Sequence, residues 1–218
     1  MIAMFKFLRT IWRDALFGVF LDTETNGLNY KEHSILEIAF MVVDLINGST
    51  LKTFDSIIKQ PFEKWQKSDL GSLKVTGFTY EEVQKGKNIE TVANEIRTLF
   101  KTLGINREKA VFICQNPSFD RIFFSQIISP DEQEILMWPY HWLDLASMHW
   151  ASVMPKSADS KQLFPWEIGL SKDSIATYQK IPPESKPHRA LNGVKHLLAC
   201  YKAVVGFPLC KKEAAFNS

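Results

Sequence analysis

The chain has 218 residues, 45% of them hydrophobic and 23% charged, with a formal net charge of +2. That length supports a single domain with a substantial core, and that composition excludes a disordered chain. The near-neutral charge neither demands nor excludes a nucleic-acid partner, because it still allows a local basic patch around an acidic site. Cys114, Cys200 and Cys210 form no C-x-x-C pair, an odd and scattered set that fits a reducing, cytoplasmic setting.

In chain order, residues 1–16 place Phe5, Leu8 and Trp12 at helical spacing with Lys6, Arg9 and Arg13 between them. Basic residues interrupt the apolar stretch and no small-residue cleavage site follows, so an amphipathic helix is expected rather than a signal peptide. Its role is packing on the domain, docking a protein partner or touching a membrane surface. No apolar run is long enough for a transmembrane segment. Residues 17–206 read as the main domain and 207–218 as a tail. Within the domain, Phe17–Leu21 reads as a buried strand, Ser34–Asp44 as a second, and Thr50–Ile58 as a third that pairs as a hairpin across Asn47-Gly48. Residues 61–87 read as polar and loop-rich. Val92, Ile96, Leu99 and Phe100 give helical periodicity over Ile89–Leu103. Ala110–Cys114 is the next strand and Phe119–Ile128 a helix. A short strand is expected within Ile135–Trp142, then helices over Leu143–Trp150, Leu170–Gln179 and His188–Val205. Early strands followed by strand-helix alternation imply an α/β mixed sheet flanked by helices.

The first strand runs into Asp22-Thr23-Glu24-Thr25-Asn26-Gly27-Leu28. Side chains alternate along a strand, so Asp22 and Glu24 project to one side. Two carboxylates that close repel each other, and a divalent cation between them is the usual remedy. Asn116-Pro117-Ser118-Phe119-Asp120 follows another apolar strand, and Pro187-His188-Arg189-Ala190-Leu191 opens a late helix. Aromatics such as Trp65 and Tyr140 could stack bases but serve equally as core.

These three segments, in this order, resemble the DEDDh-type 3′→5′ exonuclease family of the ribonuclease H-like superfamily, whose members include proofreading subunits and oligoribonuclease. The family pattern is D-x-E, N-x-x-x-D and H-x-x-x-x-D, and the likeness spans about Val19 to Tyr201. The resemblance implies a ribonuclease H-like fold and hydrolysis of phosphodiester bonds with two Mg²⁺ or Mn²⁺ ions. It also implies that Asp22, Glu24 and Asp120 are the metal ligands and His188 the general base. Thr25 and Leu28 would hold the terminal nucleotide. The partner would be a single-stranded or fraying 3′ end of DNA or RNA.

One position departs from the pattern. Five residues after His188 the family has Asp, and this chain has Gly193. Glu184, Asp144 or water are the candidates to fill that gap. The alternative is a nuclease-like module that binds nucleic acid without cutting it. If the usual register holds, Gly193→Asp is expected to raise activity or metal affinity.

Overall fold

A computed structural model describes residues 16–154 and 164–209. The amphipathic segment expected over residues 1–16 therefore lies almost wholly outside the described residues, as does Cys210. Five strands form one sheet: β1 (Phe17–Thr25), β2 (Ile35–Asp44), β3 (Thr50–Ile57), β4 (Ala110–Cys114) and β5 (Trp142–Asp144), in the order β3-β2-β1-β4-β5. β1 and β2 are antiparallel, as are β2 and β3, whereas β4 and β5 run parallel to β1. The mixed sheet is the one the sequence predicts.

The helices are α1 (Phe62–Trp65), α2 (Leu70–Thr76), α3 (Tyr80–Gln84), α4 (Ile89–Leu103), α5 (Pro117–Phe124), α6 (Pro130–Ile135), α7 (Leu145–Val153), α8 (Pro165–Ile168), α9 (Lys172–Tyr178) and α10 (Ala190–Val204). The sheet separates two cores. Val19 and Leu21 of β1 face Val92, Ile96 and Phe100 of α4 and Phe123 and Phe124 of α5. Phe20 faces Ile175 of α9 and Val194 and Leu197 of α10 on the other side. Period-2 alternation along β1 meets period-3.6 stripes on both layers.

Several expectations need correction. The stretch 61–87 is not loop: it holds α1, α2 and α3, each too short for apolar periodicity to reveal. Their caps carry the signal instead. Asp69 accepts a 2.7 Å bond from Ser72 N, and Thr79 and Glu82 form a capping box. α5 begins at Pro117 rather than Phe119, with proline at its first position and Asn116 turning the chain at φ 57°. The fifth strand follows the expected window, starting at Trp142. The last helix begins at Ala190, so His188 belongs to the loop before it.

Candidate active site

The first motif works as alternation requires. Asp22 pairs across the sheet with Ala39, and Glu24 with Glu37 on β2. Thr23 points to the opposite face and donates a 2.8 Å hydrogen bond from Oγ1 to Asp120 Oδ1. That bond joins β1 to the first turn of α5 across 97 residues and fixes a buried Asp120 at the strand ends. All three acids are held above the ordinary carboxylate range. Burial is the main cause for each. The Asp22 charge is the second cause for Glu24, which is pushed up to about 8, and for Asp120. The Asp22 charge therefore bears on both of the other acids.

His188 is anchored from three directions. Its backbone N donates to Val75 O at the end of α2 (3.2 Å). Arg189 stacks its guanidinium 3.8 Å over the Phe78 ring and pairs with Glu82 at 3.2 Å. Ala190 N donates to Glu37 Oε2 at 2.7 Å. The imidazole Nδ1 lies 3.2 Å from Glu184 Oε1.

Of the candidates to replace the missing Asp, Glu184 is the one that reaches the site. Its side chain is only 2% exposed. It does not act as a free ligand, because Lys172 Nζ lies 2.9 Å from Glu184 Oε2 and 3.1 Å from Asp22 Oδ1. Asp144 instead caps α7, accepting from Ala146 N and Ser147 N at 3.1 Å. Gly193, on the first turn of α10, packs straight onto Asp22: a Cβ there would overlap Asp22 Oδ2 and come within 2.9 Å of Lys172 Nζ. The expectation that Gly193→Asp simply adds a ligand is thereby corrected, since the space is filled by the Asp22 carboxylate and the Lys172 ammonium.

Lys172 is the residue beside these acids that sequence reasoning missed. It sits at the first position of α9 behind Ser171, 150 residues from Asp22, and nothing local distinguishes it from other lysines. Burial works against its charge, but Asp22 and Glu184 more than offset this and hold it protonated.

Thr25 is buried and donates to Gly27 O at 2.8 Å, which shapes the turn after the motif. Leu28 is 78% exposed. Both line a cleft of about 470 Å³ together with Glu24, Ser72, Val75 and Thr76. A larger hollow of about 660 Å³ between β3 and α4, lined by Phe54, Thr98 and Leu99, contains none of the site acids. The smaller cleft is the one beside the chemistry.

Among the described residues, no group of three or more His, Cys, Asp and Glu side chains stands ready-made as a metal site. The chemistry of the donors is nevertheless that of a divalent-cation site. Asp22, Glu24 and Asp120 are hard oxygen donors whose mutual repulsion a dication would relieve. Their second charge partner is Lys172 rather than a fourth acid.

The mixed sheet with acids at the end of its central strand defines an α/β protein of the ribonuclease H-like superfamily. The chain belongs to the Exonuclease family (RNase_T), whose model matches residues 19–199, and within it to the DEDD-type exonucleases. The DNA polymerase III PolC-type protein of Mycoplasmopsis pulmonis (strain UAB CTIP) is 27% identical over 108 residues, which cover 50% of this chain and 7% of that protein. The zinc-bound form of E. coli exonuclease I with single-stranded DNA has a TM-score of 0.68 at 17% identity, covering 94% of this chain and 42% of that one. A structure of exonuclease I described for its processivity gives a TM-score of 0.67 at 18% identity, covering 93% and 43%. At such identities the likeness establishes the fold. The chain spans less than half the length of these relatives. No described helix is long and apolar enough to cross a membrane.

Proposed function

We propose that this protein is a divalent-metal-dependent 3′→5′ exonuclease that removes nucleotides from single-stranded or fraying ends. The observation that supports the reading is the placement of Asp22 and Glu24 on one face of β1, with the buried Asp120 tied to Thr23 between them and His188 linked to Asp22 through Glu184 and Lys172. Family membership supports nuclease activity, and the single-stranded DNA and zinc named for the exonuclease I structure support the substrate and cofactor classes.

In this reading Asp22, Glu24 and Asp120 hold the cation, Mg²⁺ or Mn²⁺. When bound, it would lower the pKa of a water and offset charge on the phosphate. His188 takes the proton from the attacking water, and Glu184 orients its ring through Nδ1 and leaves Nε2 for the reaction. Thr25 and Leu28 border the cleft where the terminal nucleotide sits, with the exposed Leu28 side chain placed against its base. Two ions are the general arrangement for such chemistry, and Gly193 withholds the side-chain oxygen that the family supplies at that position. The free, buried Cys114 and Cys200 fit a cytoplasmic protein.

The competing reading is a module that binds nucleic acid without cutting, and Gly193 is the observation that favours it. Incubation of 5′-labelled single-stranded DNA and RNA with the protein and Mg²⁺ or Mn²⁺ separates the two. The proposal predicts a ladder shortened one nucleotide at a time, absent in Asp22→Asn. Tight binding with no shortening in either metal would contradict it.

A further inference from the structure

The hollow of about 660 Å³ between β3 and α4 opens onto the core. Phe54 of β3 and Leu99 and Leu103 of α4 line it, and all three are partly buried against the same core that holds Phe17. β3 is an edge strand whose Thr50, Leu51, Lys52 and Thr53 are exposed, so α4 leaves this corner of the sheet uncovered among the described residues. The opposite face of the corner is closed. There Leu209 N donates to Ile46 O at 3.0 Å, and the buried Phe207 packs on Gly48 between β2 and β3. The chain enters β1 at this same corner: Leu16 O accepts from Leu45 N at 2.8 Å, and Phe17 pairs with Asp44. β3 lies two strand spacings away, about 10 Å. Residues 1–15, outside the described residues, lead into this point. Met4, Phe5, Leu8, Ile11 and Trp12 share one side of a 3.6-residue helix, with Lys6, Arg9 and Arg13 grouped beside them.

We propose that residues 1–15 fold back on their own domain as an amphipathic helix and close the β3–α4 hollow with Phe5, Leu8 and Trp12. The inference is independent of the exonuclease reading. On a helix Trp12 stands about 6 Å and Phe5 about 17 Å from Leu16, which brackets the distance to β3. The apolar side meets Phe54, Leu99 and Leu103, while Lys6, Arg9 and Arg13 keep their charges in water and lay their stems along the rim. A helix this short is marginal in water by itself, so the packing is what stabilises it. The tether decides between occupants. A segment joined at Leu16 meets the hollow at an effective concentration of about millimolar, which a second copy of the chain or a separate partner does not reach in dilute solution. The exposed edge strand gains the cover that such strands need against pairing with other chains.

Photocrosslinking locates the segment. The full chain is made with p-benzoylphenylalanine in place of Leu8, irradiated in dilute solution and digested, and the joined peptides are identified by mass spectrometry. The expected product is a crosslink within one chain, from position 8 to residues 50–57 or 89–103. A crosslink between two chains would give the hollow to a second copy. A crosslink to another part of the same chain would place the segment elsewhere. No crosslink would mean that Leu8 faces solvent, as a segment kept for a membrane or a separate partner does. Each of these three results overturns the proposal. Thr98→Arg, at an exposed position lining the hollow, sets a bulky charge in it and is expected to abolish the crosslink, with circular dichroism checking the fold. A folded Thr98→Arg protein that still crosslinks would also overturn it. Melting gives a second readout on the full chain. Trp12→Ala is expected to lower the melting temperature and Lys6→Glu to leave it unchanged, and a Trp12→Ala protein that melts with the parent would contradict the packing.

Discussion

Lys172 Nζ stands 3.1 Å from Asp22 Oδ1, joining the first turn of α9 to the middle acid of a cluster 150 residues earlier in the chain. The contact makes a carboxylate site partly self-neutralising. Asp22 has a counter-charge at hydrogen-bond distance, whereas Glu24 and Asp120 feel the Lys172 charge without a direct contact to it. The ionisation of those two acids therefore decides how the metal-free protein behaves.

The metal-free protein should lose stability as pH rises. Glu24 titrates near 8 in the folded state against an ordinary value near 4.5, and Asp120 is raised as well. A folded-state pKa above the unfolded one means that the folded protein binds more protons between the two values. Its stabilising effect is complete below about pH 4.5 and is lost as pH rises through about 8. Melting in EDTA should therefore fall between pH 5 and 8.5, by about 2–4 °C for each kcal/mol lost in a domain of this size. Adding Mn²⁺ at pH 8 should reverse the fall. A melting temperature that is flat or rising over that range in EDTA would contradict the assignment.

Asp120→Asn should separate stability from activity. The amide oxygen can still accept the Thr23 hydroxyl, and the buried negative charge beside Asp22 is gone. The variant should melt higher than the parent in EDTA at pH 8 and lose at least about 100-fold in nuclease rate. Unchanged cleavage by the purified variant would place the chemistry elsewhere.

Much of the geometry of this candidate site is legible in the sequence. D-T-E behind an apolar strand placed Asp22 and Glu24 on one face, and the register with Ala39 and Glu37 shows why. Asp120 was legible because it follows a second apolar strand. Lys172 was not, because its role arises from a tertiary contact with no local pattern. Glu184 could be suspected only as one of several acids near His188, and the structure alone shows it spent on Lys172 and the imidazole. α1 to α3 escaped because apolar periodicity needs more than four to seven residues to emerge, although Asp69 and the Thr79/Glu82 box marked two of their starts.

Glu184→Ala should be among the most damaging single changes. It would leave the buried Lys172 ammonium with Asp22 alone and release the His188 ring. Removing one partner of a buried ion pair typically costs about 3–5 kcal/mol. Urea unfolding should show a loss of that order, and Glu184→Gln should lose less while still lowering the rate. A loss under about 1 kcal/mol for the alanine variant would show that Lys172 is free to reach solvent.

His188→Ala should lower the rate by about 10²–10⁴-fold, the usual value of a positioned general base. Its effect on melting should be small, because the loop is held by backbone and Arg189 contacts rather than by the imidazole. Activity in His188→Ala should recover in part as pH is raised and hydroxide replaces the missing base. A pH profile parallel to the parent's would deny His188 that role.

The most direct measurement uses a single-stranded thymidine oligonucleotide carrying deoxyadenosine at its 5′ end and deoxycytidine at its 3′ end. Mononucleotides released in Mg²⁺ or Mn²⁺ are identified by mass spectrometry at early times. A 3′→5′ exonuclease centred on Asp22, Glu24, Asp120 and His188 must release deoxycytidine 5′-monophosphate first, then thymidine 5′-monophosphate, and must lose both products in Asp22→Asn. Deoxyadenosine 5′-monophosphate appearing first, internal fragments, or no product in either metal would contradict the account.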